Sequence, residues 1–160
     1  MTQLDVVTTG EIMVRLRTGT PLRLGRTMTM TVAGAESNVA IGLARLGQPV
    51  RWDGRVGAVE SGAFILRTLR AESVAVDTVV VDPGRPTGLM LAERRVADIS
   101  RVSCYRTGSA GSALASADAA ACLGDIPASC TPRALPLHCL NLRPRPSSQP
   151  SSWPVRPGLW

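Results

Sequence analysis

The chain has 160 residues and no lysine: all 18 of its basic residues are arginine. That uniformity reflects a GC-rich coding sequence more than a selected surface chemistry. Aromatic residues are scarce, with one Phe, one Tyr and three Trp. Base stacking on aromatic rings has little to work with, and no run of five or six basic residues exists to follow a phosphate backbone. A nucleic-acid partner is therefore not expected. No apolar run approaches the roughly 18 residues that a membrane span needs, so no membrane partner is expected either. Met1-Thr-Gln-Leu-Asp5 has neither a basic nor an apolar leader character, and the expected location is the cytoplasm. The four cysteines include no Cys-x-x-Cys pair, and His138, Cys139, Cys130 and Cys122 sit in proline-rich sequence. Reduced, incidental thiols are expected there, and no metal site. A Walker-type Gly-Lys-Ser/Thr is also missing, and Gly54 to Gly62 is too weak a glycine pattern for a dinucleotide site.

What is present is unevenly spread. Eight of the 12 prolines fall between Pro127 and Pro157, and Asp125 is the one acidic residue after position 118. Arg143-Pro-Arg-Pro-Ser-Ser-Gln-Pro-Ser-Ser-Trp-Pro has no period of 2 or 3.6 and removes backbone donors. Residues 1–120 are thus expected to be the structured part, and 121–160 an extended or disordered Pro/Arg/Ser-rich tail.

Before that boundary the pattern alternates. Leu4 to Gly10, Ile12 to Leu16 and Thr27 to Val32 read as strands, the last with Thr on a wet face. Glu36 to Gly47 reads as a helix with Val39, Leu43 and Leu46 in one stripe beside Ala40 and Ala44, closed by Gly47 at the C′ position. Val50 to Trp52 follows as a strand, Gly54 to Gly62 as a turn, and Ala63 to Ala71 as a helix. Val74 to Val81 reads as one strand, and Thr87 to Glu93 with Arg101 to Arg106 as a β-pair. Such alternation predicts a three-layer α/β body, with the Thr-rich strands in a separate small sheet.

The turn Ala33-Gly34-Ala-Glu-Ser-Asn38 leads from a strand into the first helix. Without a Cβ, Gly34 lets a ligand reach its backbone, the helix N-terminus favours oxygen-rich or anionic groups, and Asn38 offers a donor and an acceptor to vicinal hydroxyls. The plainer alternative is a simple turn at Gly34 with Ser37 or Asn38 capping the helix.

Ala33-Gly34, Asn38, Ala40, Gly47 and Gly57 at these spacings resemble the first signature of the PfkB/ribokinase carbohydrate kinases, and above all the 2-keto-3-deoxygluconate kinases. Gly10-Glu11 and Cys104-Tyr105-Arg106-Thr-Gly108-Ser109-Ala110 match further stretches of that family in order, from about residue 4 to 118. The resemblance implies a ribokinase-like three-layer sandwich with a β-sheet lid, of which this is the N-terminal half. It implies ATP-dependent phosphorylation of a hydroxyl on a sugar acid such as 2-keto-3-deoxygluconate. Gly34 and Asn38 would contact hydroxyls, Tyr105 would pack on the sugar chain, and Arg106 would hold the carboxylate through its fork of donors. A homo-oligomer through the lid strands is a further implication.

Departures are specific. Cys104 and Met90 stand where the family has lid tyrosines, Ala33 for the first Gly of a Gly-Gly turn, Val59 (beside Glu60) for an Asp, and Ser73 for a glycine. The Gly-Ala-Gly-Asp turn that supplies the family's catalytic base and anion hole does not occur, and Gly124-Asp125 lacks its context. The expectation is a chain with no catalytic residue of its own, no ATP or Mg2+ site, and no activity alone. Loss of the family frame near residue 120 is what out-of-frame reading of a GC-rich gene produces. The alternatives are a non-catalytic sugar-binding fragment and an interaction module with a basic tail.

Overall fold

A computed structural model describes residues 6–96, 99–115 and 118. The boundary expected at 120–121 and everything assigned to the tail, Cys122, Cys130, His138 and Cys139 included, lie outside the described residues.

The body begins with β1 (Val6–Thr9), which pairs in parallel with β4 (Val50–Asp53), Val6 opposite Val50 and Thr9 opposite Asp53. Ala75 extends this sheet by a bridge to Arg51: its N–H donates to the Val50 carbonyl, and its own carbonyl accepts from Trp52 N–H, both at 2.9 Å. Beyond Gly54 the chain continues as β5 (Arg55–Gly57), parallel to β6 (Val80–Asp82). The single strand expected over Val74 to Val81 is therefore two short pieces. The cause lies at Gly54, where an added Cβ would sit 2.6 Å from the Trp52 ring and 2.7 Å from the Gly10 carbonyl. The chain bends there, and its neighbour breaks at the same level, where Thr78 donates to Asp53 and Arg51 pairs with Asp77 at 3.1 Å.

Two helices cover this body. The first, α1 (Ala35–Arg45), packs on β1 and β4 and ends as expected. Gly47 adopts φ +80°, its N–H reaches the Ala44 carbonyl at 2.9 Å, and Gln48 N–H reaches Leu43 at 3.1 Å. That is the Schellman arrangement, which needs a left-handed residue. The buried face differs from the expected stripe: Ser37 and Ala40 are fully buried, whereas Val39 and Leu46 are exposed. Small residues let the helix approach the sheet closely, which turns the larger stripe toward its flank. The second helix, α2 (Glu60–Ala71), starts three residues before the expected Ala63. Gly62 belongs to its first turn, where a Cβ would lie 2.1 Å from the Gly57 carbonyl. A glycine that reads as a breaker in sequence is the site of close helix–strand contact.

The core gathers Ile12, Val50, Trp52, Val56, Ile65 and Leu69, all nearly inaccessible. Above it stands the second sheet, ordered β3-β2-β7-β8: β2 (Met13–Thr18), β3 (Thr29–Ala33), β7 (Leu89–Val96) and β8 (Ile99–Tyr105). The expected β-pair is present, with Leu89 opposite Tyr105 in an antiparallel ladder, and β2 joins β7 in parallel. The wet face expected for the Thr-rich strand is modified. At its start β3 is open on both faces, with Met30 half-exposed, because it is an edge strand paired with β2 alone.

Candidate functional site

The Ala33-to-Asn38 turn sits where β3 enters α1. Gly34 is the N-cap in extended backbone, and no side chain caps the helix. Ser37 Oγ instead donates back to the Gly34 carbonyl at 3.1 Å, and Asn38 N–H closes the first turn on the same carbonyl at 3.1 Å. Capping by Ser37 or Asn38 is thus not what these residues do. The first amides of α1 keep their donors free of side-chain caps, the situation that favours an oxygen-rich group. The Asn38 side chain, half-buried, has no hydrogen bond among the described residues. Glycine at 34 is required by space: a Cβ would lie 2.7 Å from the Glu11 carbonyl oxygen and 2.8 Å from Ser37 Oγ. Glu36 uses the same device, its carboxylate lying over Gly10, where a Cβ would come within 2.5 Å of Oε2.

Glu11 links this turn to the second sheet. One carboxylate oxygen accepts from Ser109 Oγ at 2.6 Å, and the other lies 2.5 Å from Arg106 Nε. The structure therefore gathers Gly34 and Arg106 around one residue, Gly34 against its backbone and Arg106 against its side chain. Tyr105, at the end of β8, is 61% exposed, and Arg106 follows it with about half its side chain exposed. Of the four residues singled out from the sequence, Gly34 and Arg106 meet at Glu11, Asn38 engages the turn only through its backbone N–H, and Tyr105 is exposed on the sheet. Glu11 as an ion-pair partner and Ser109 were missed. The signal was the glycines around them, since Gly88 and Gly111 both lie against the Glu11 side chain.

Neighbouring groups set the electrostatics. Desolvation pushes the Cys104 thiol up, against the opposing pull of the Arg106 guanidinium. Hydrogen bonds from Leu22 N–H (2.9 Å) and Arg95 Nε (2.8 Å) hold the Glu93 carboxyl below the usual carboxylate range. A paired fork from Arg55, at 2.7 and 3.2 Å, does the same for Asp118. No group of three His, Cys, Asp or Glu side chains that could hold a metal ion occurs among the described residues, and none of their helices is long and apolar enough to cross a membrane. A cavity of about 430 Å³ beside α2 is lined by Val56, Val59, Leu66 and Val81. It is apolar and includes none of the four site residues.

Comparison with known proteins places the fold. A family model described as pfkB family carbohydrate kinase matches residues 3–110. A 2-dehydro-3-deoxygluconokinase of Bacillus subtilis (strain 168) is 36% identical over 173 residues, covering 99% of this chain and 53% of its own. One of Thermoproteus tenax is 39% identical over 113 residues, covering 68% of this chain and 35% of its own. The crystal structure of a PfkB protein from Polaromonas sp. JS666 superimposes with a TM-score of 0.67 at 40% identity, over 72% of this chain and 40% of that one. The chain thus spans between a third and about half of the length of these relatives. Its fold is that of the ribokinase-like sugar kinases, and the chain belongs to the pfkB family of carbohydrate kinases.

Proposed function

We propose that this chain forms the sugar-side part of a kinase that phosphorylates a hydroxyl of a sugar acid, 2-keto-3-deoxygluconate (2-dehydro-3-deoxygluconate) or a close analogue. What carries this reading is the convergence on Glu11 of the uncapped turn at Gly34 and the half-exposed Arg106. Gly34 and Asn38 contact the hydroxyls, Tyr105 packs on the carbon chain, and Arg106 engages the carboxylate through paired N–H donors. Such a division suits an elongated polyhydroxy acid, which needs a cation at one end and amide-type partners along its length.

ATP with Mg2+ supplies the phosphoryl group in the whole protein. The sequence has neither a Walker loop nor a Gly-Ala-Gly-Asp turn. Catalytic residues are therefore assigned outside these 160 residues, and the chain binds sugar acid without turning it over. The protein works in the cytoplasm and pairs with a second copy through its lid strands, where Met30, Ile99 and Tyr105 are exposed.

Titration calorimetry with 2-keto-3-deoxygluconate tests the reading. Binding is expected, with a loss of at least tenfold, about 1.4 kcal/mol, for Arg106→Lys, which keeps the charge but not the fork. Equal affinity for the acid and for fructose, or an Arg106→Lys variant that binds like wild type, would overturn it. An ADP-release assay of the chain alone is expected to stay at background.

A further inference from the structure

We infer that Glu11 is a positioning residue, holding the Arg106 fork in place before the ligand carboxylate arrives; the ligand class itself rests on the sugar-acid reading above. A carboxylate whose side chain is 7% exposed must be paired, since burying an unpartnered charge costs several kcal/mol. Glu11 divides its two oxygens between Ser109 Oγ (2.6 Å) and Arg106 Nε (2.5 Å). It lies in a slot left by two glycines: a Cβ at Gly111 would come within 2.4 Å of Glu11 Cγ, and one at Gly88 within 2.9 Å of Oε1. The carboxylate thus ties the end of β1 to the turn after β8 in a site with no spare room.

The contact engages the stem nitrogen of Arg106, whose side chain stays 51% exposed. Glu11 Oε2 meets Arg106 as an ion pair and accepts no hydrogen bond from it, so the guanidinium keeps its N–H donors for a second carboxylate. Fixing that fork in advance removes part of the side-chain entropy that ligand binding would otherwise cost.

Two measurements on the full chain test the inference, the first without any ligand. The Arg106 Nε–H resonance, assigned by its absence from Arg106→Lys, is expected to stand apart in chemical shift from the other arginines because of the Glu11 carboxylate beside it. It should merge with them in Glu11→Gln, whose amide keeps the shape but not the charge. A wild-type signal averaged with exposed arginines, or one unchanged in Glu11→Gln, overturns the inference. The second is calorimetry with 2-keto-3-deoxygluconate and with fructose. Glu11→Gln should weaken the acid about tenfold and fructose less than twofold. In the Arg106→Lys background Glu11→Gln should add no further loss. An equal loss for both sugars, or full additivity, would make Glu11 merely structural and refute its role. If the resonance behaves as expected and wild type binds neither sugar, the positioning stands and the sugar-acid reading fails.

Discussion

The body under the helices and the four-stranded sheet differ in how they are held. The body under α1 and α2 closes on Trp52, Val56, Ile65 and Leu69, none of them accessible to water. The four-stranded sheet packs Val14, Leu16, Val32 and Leu89 onto that core, leaves Met30, Ile99 and Tyr105 open, and adds carboxylate contacts, Glu11 on Arg106 and Ser109 and Glu93 on Leu22 and Arg95. Apolar burial is non-directional and makes a rigid base, while a few charge-assisted bonds fix a sheet at chosen points and leave one face free.

The largest break in the contrast should come from the body. Leu69→Ala opens a cavity under α2 and should cost about 2–5 kcal/mol in urea unfolding, a large share of any small domain's stability. Next comes the junction of the two regions. Gly34→Ala places a methyl 2.7 Å from the Glu11 carbonyl, and should cost about 1–3 kcal/mol by overpacking while weakening sugar-acid binding in calorimetry. The φ of −175° there is open to any residue, so the effect is purely one of space.

On the lid side the expected effect is local. The Glu93 carboxyl is held below its ordinary range, so its contribution is complete above that range and disappears as pH falls through the lowered value. Leu22 N–H, which it anchors, should shift in an NMR titration only on that acid side. Glu93→Gln should make trypsin cut more readily at Arg23 and Arg26 at neutral pH. A pH-independent Leu22 signal would show that the tether does not hold the loop.

The smallest effect is expected at the end of α2. Ser73 N–H reaches the Arg70 carbonyl and Val74 N–H the Leu69 carbonyl, both at 3.0 Å, the same motif that Gly47 completes on α1. Ser73 occupies φ +62°, the left-handed region that side chains disfavour. Ser73→Gly should therefore raise stability by about 0.5–1 kcal/mol, seen as a higher melting temperature. Gly47→Ala should lower it by a similar amount.

These two helix ends also mark how far the sequence could be read. Gly47 announces its helix terminus by residue type, and the motif around it forms as expected. Ser73 shows nothing of the kind until set beside the family's glycine, because its conformation is imposed by the turn from α2 into Val74. The early start of α2 was hidden for a related reason. Gly62 disfavours helix locally, and its use there is explained only by the Gly57 carbonyl pressing against it.

At the site, the turn at Gly34 and the Tyr105-Arg106 stretch were legible from residue types at fixed spacing. Their shared partner was not. Glu11 lies 95 positions from Arg106 along the chain, and no periodicity links residues so far apart. By itself the sequence determined the alternation of strands and helices, the α1 stop, the lid pair and the family, since these depend on local conformational preference and ordered motifs. Tertiary structure alone decided that Val74 to Val81 splits, which face of α1 is buried, and that a carboxylate at the end of β1 meets the guanidinium after β8. Each of those depends on which backbones approach within a few ångströms, and that distance is set by the packing of distant segments.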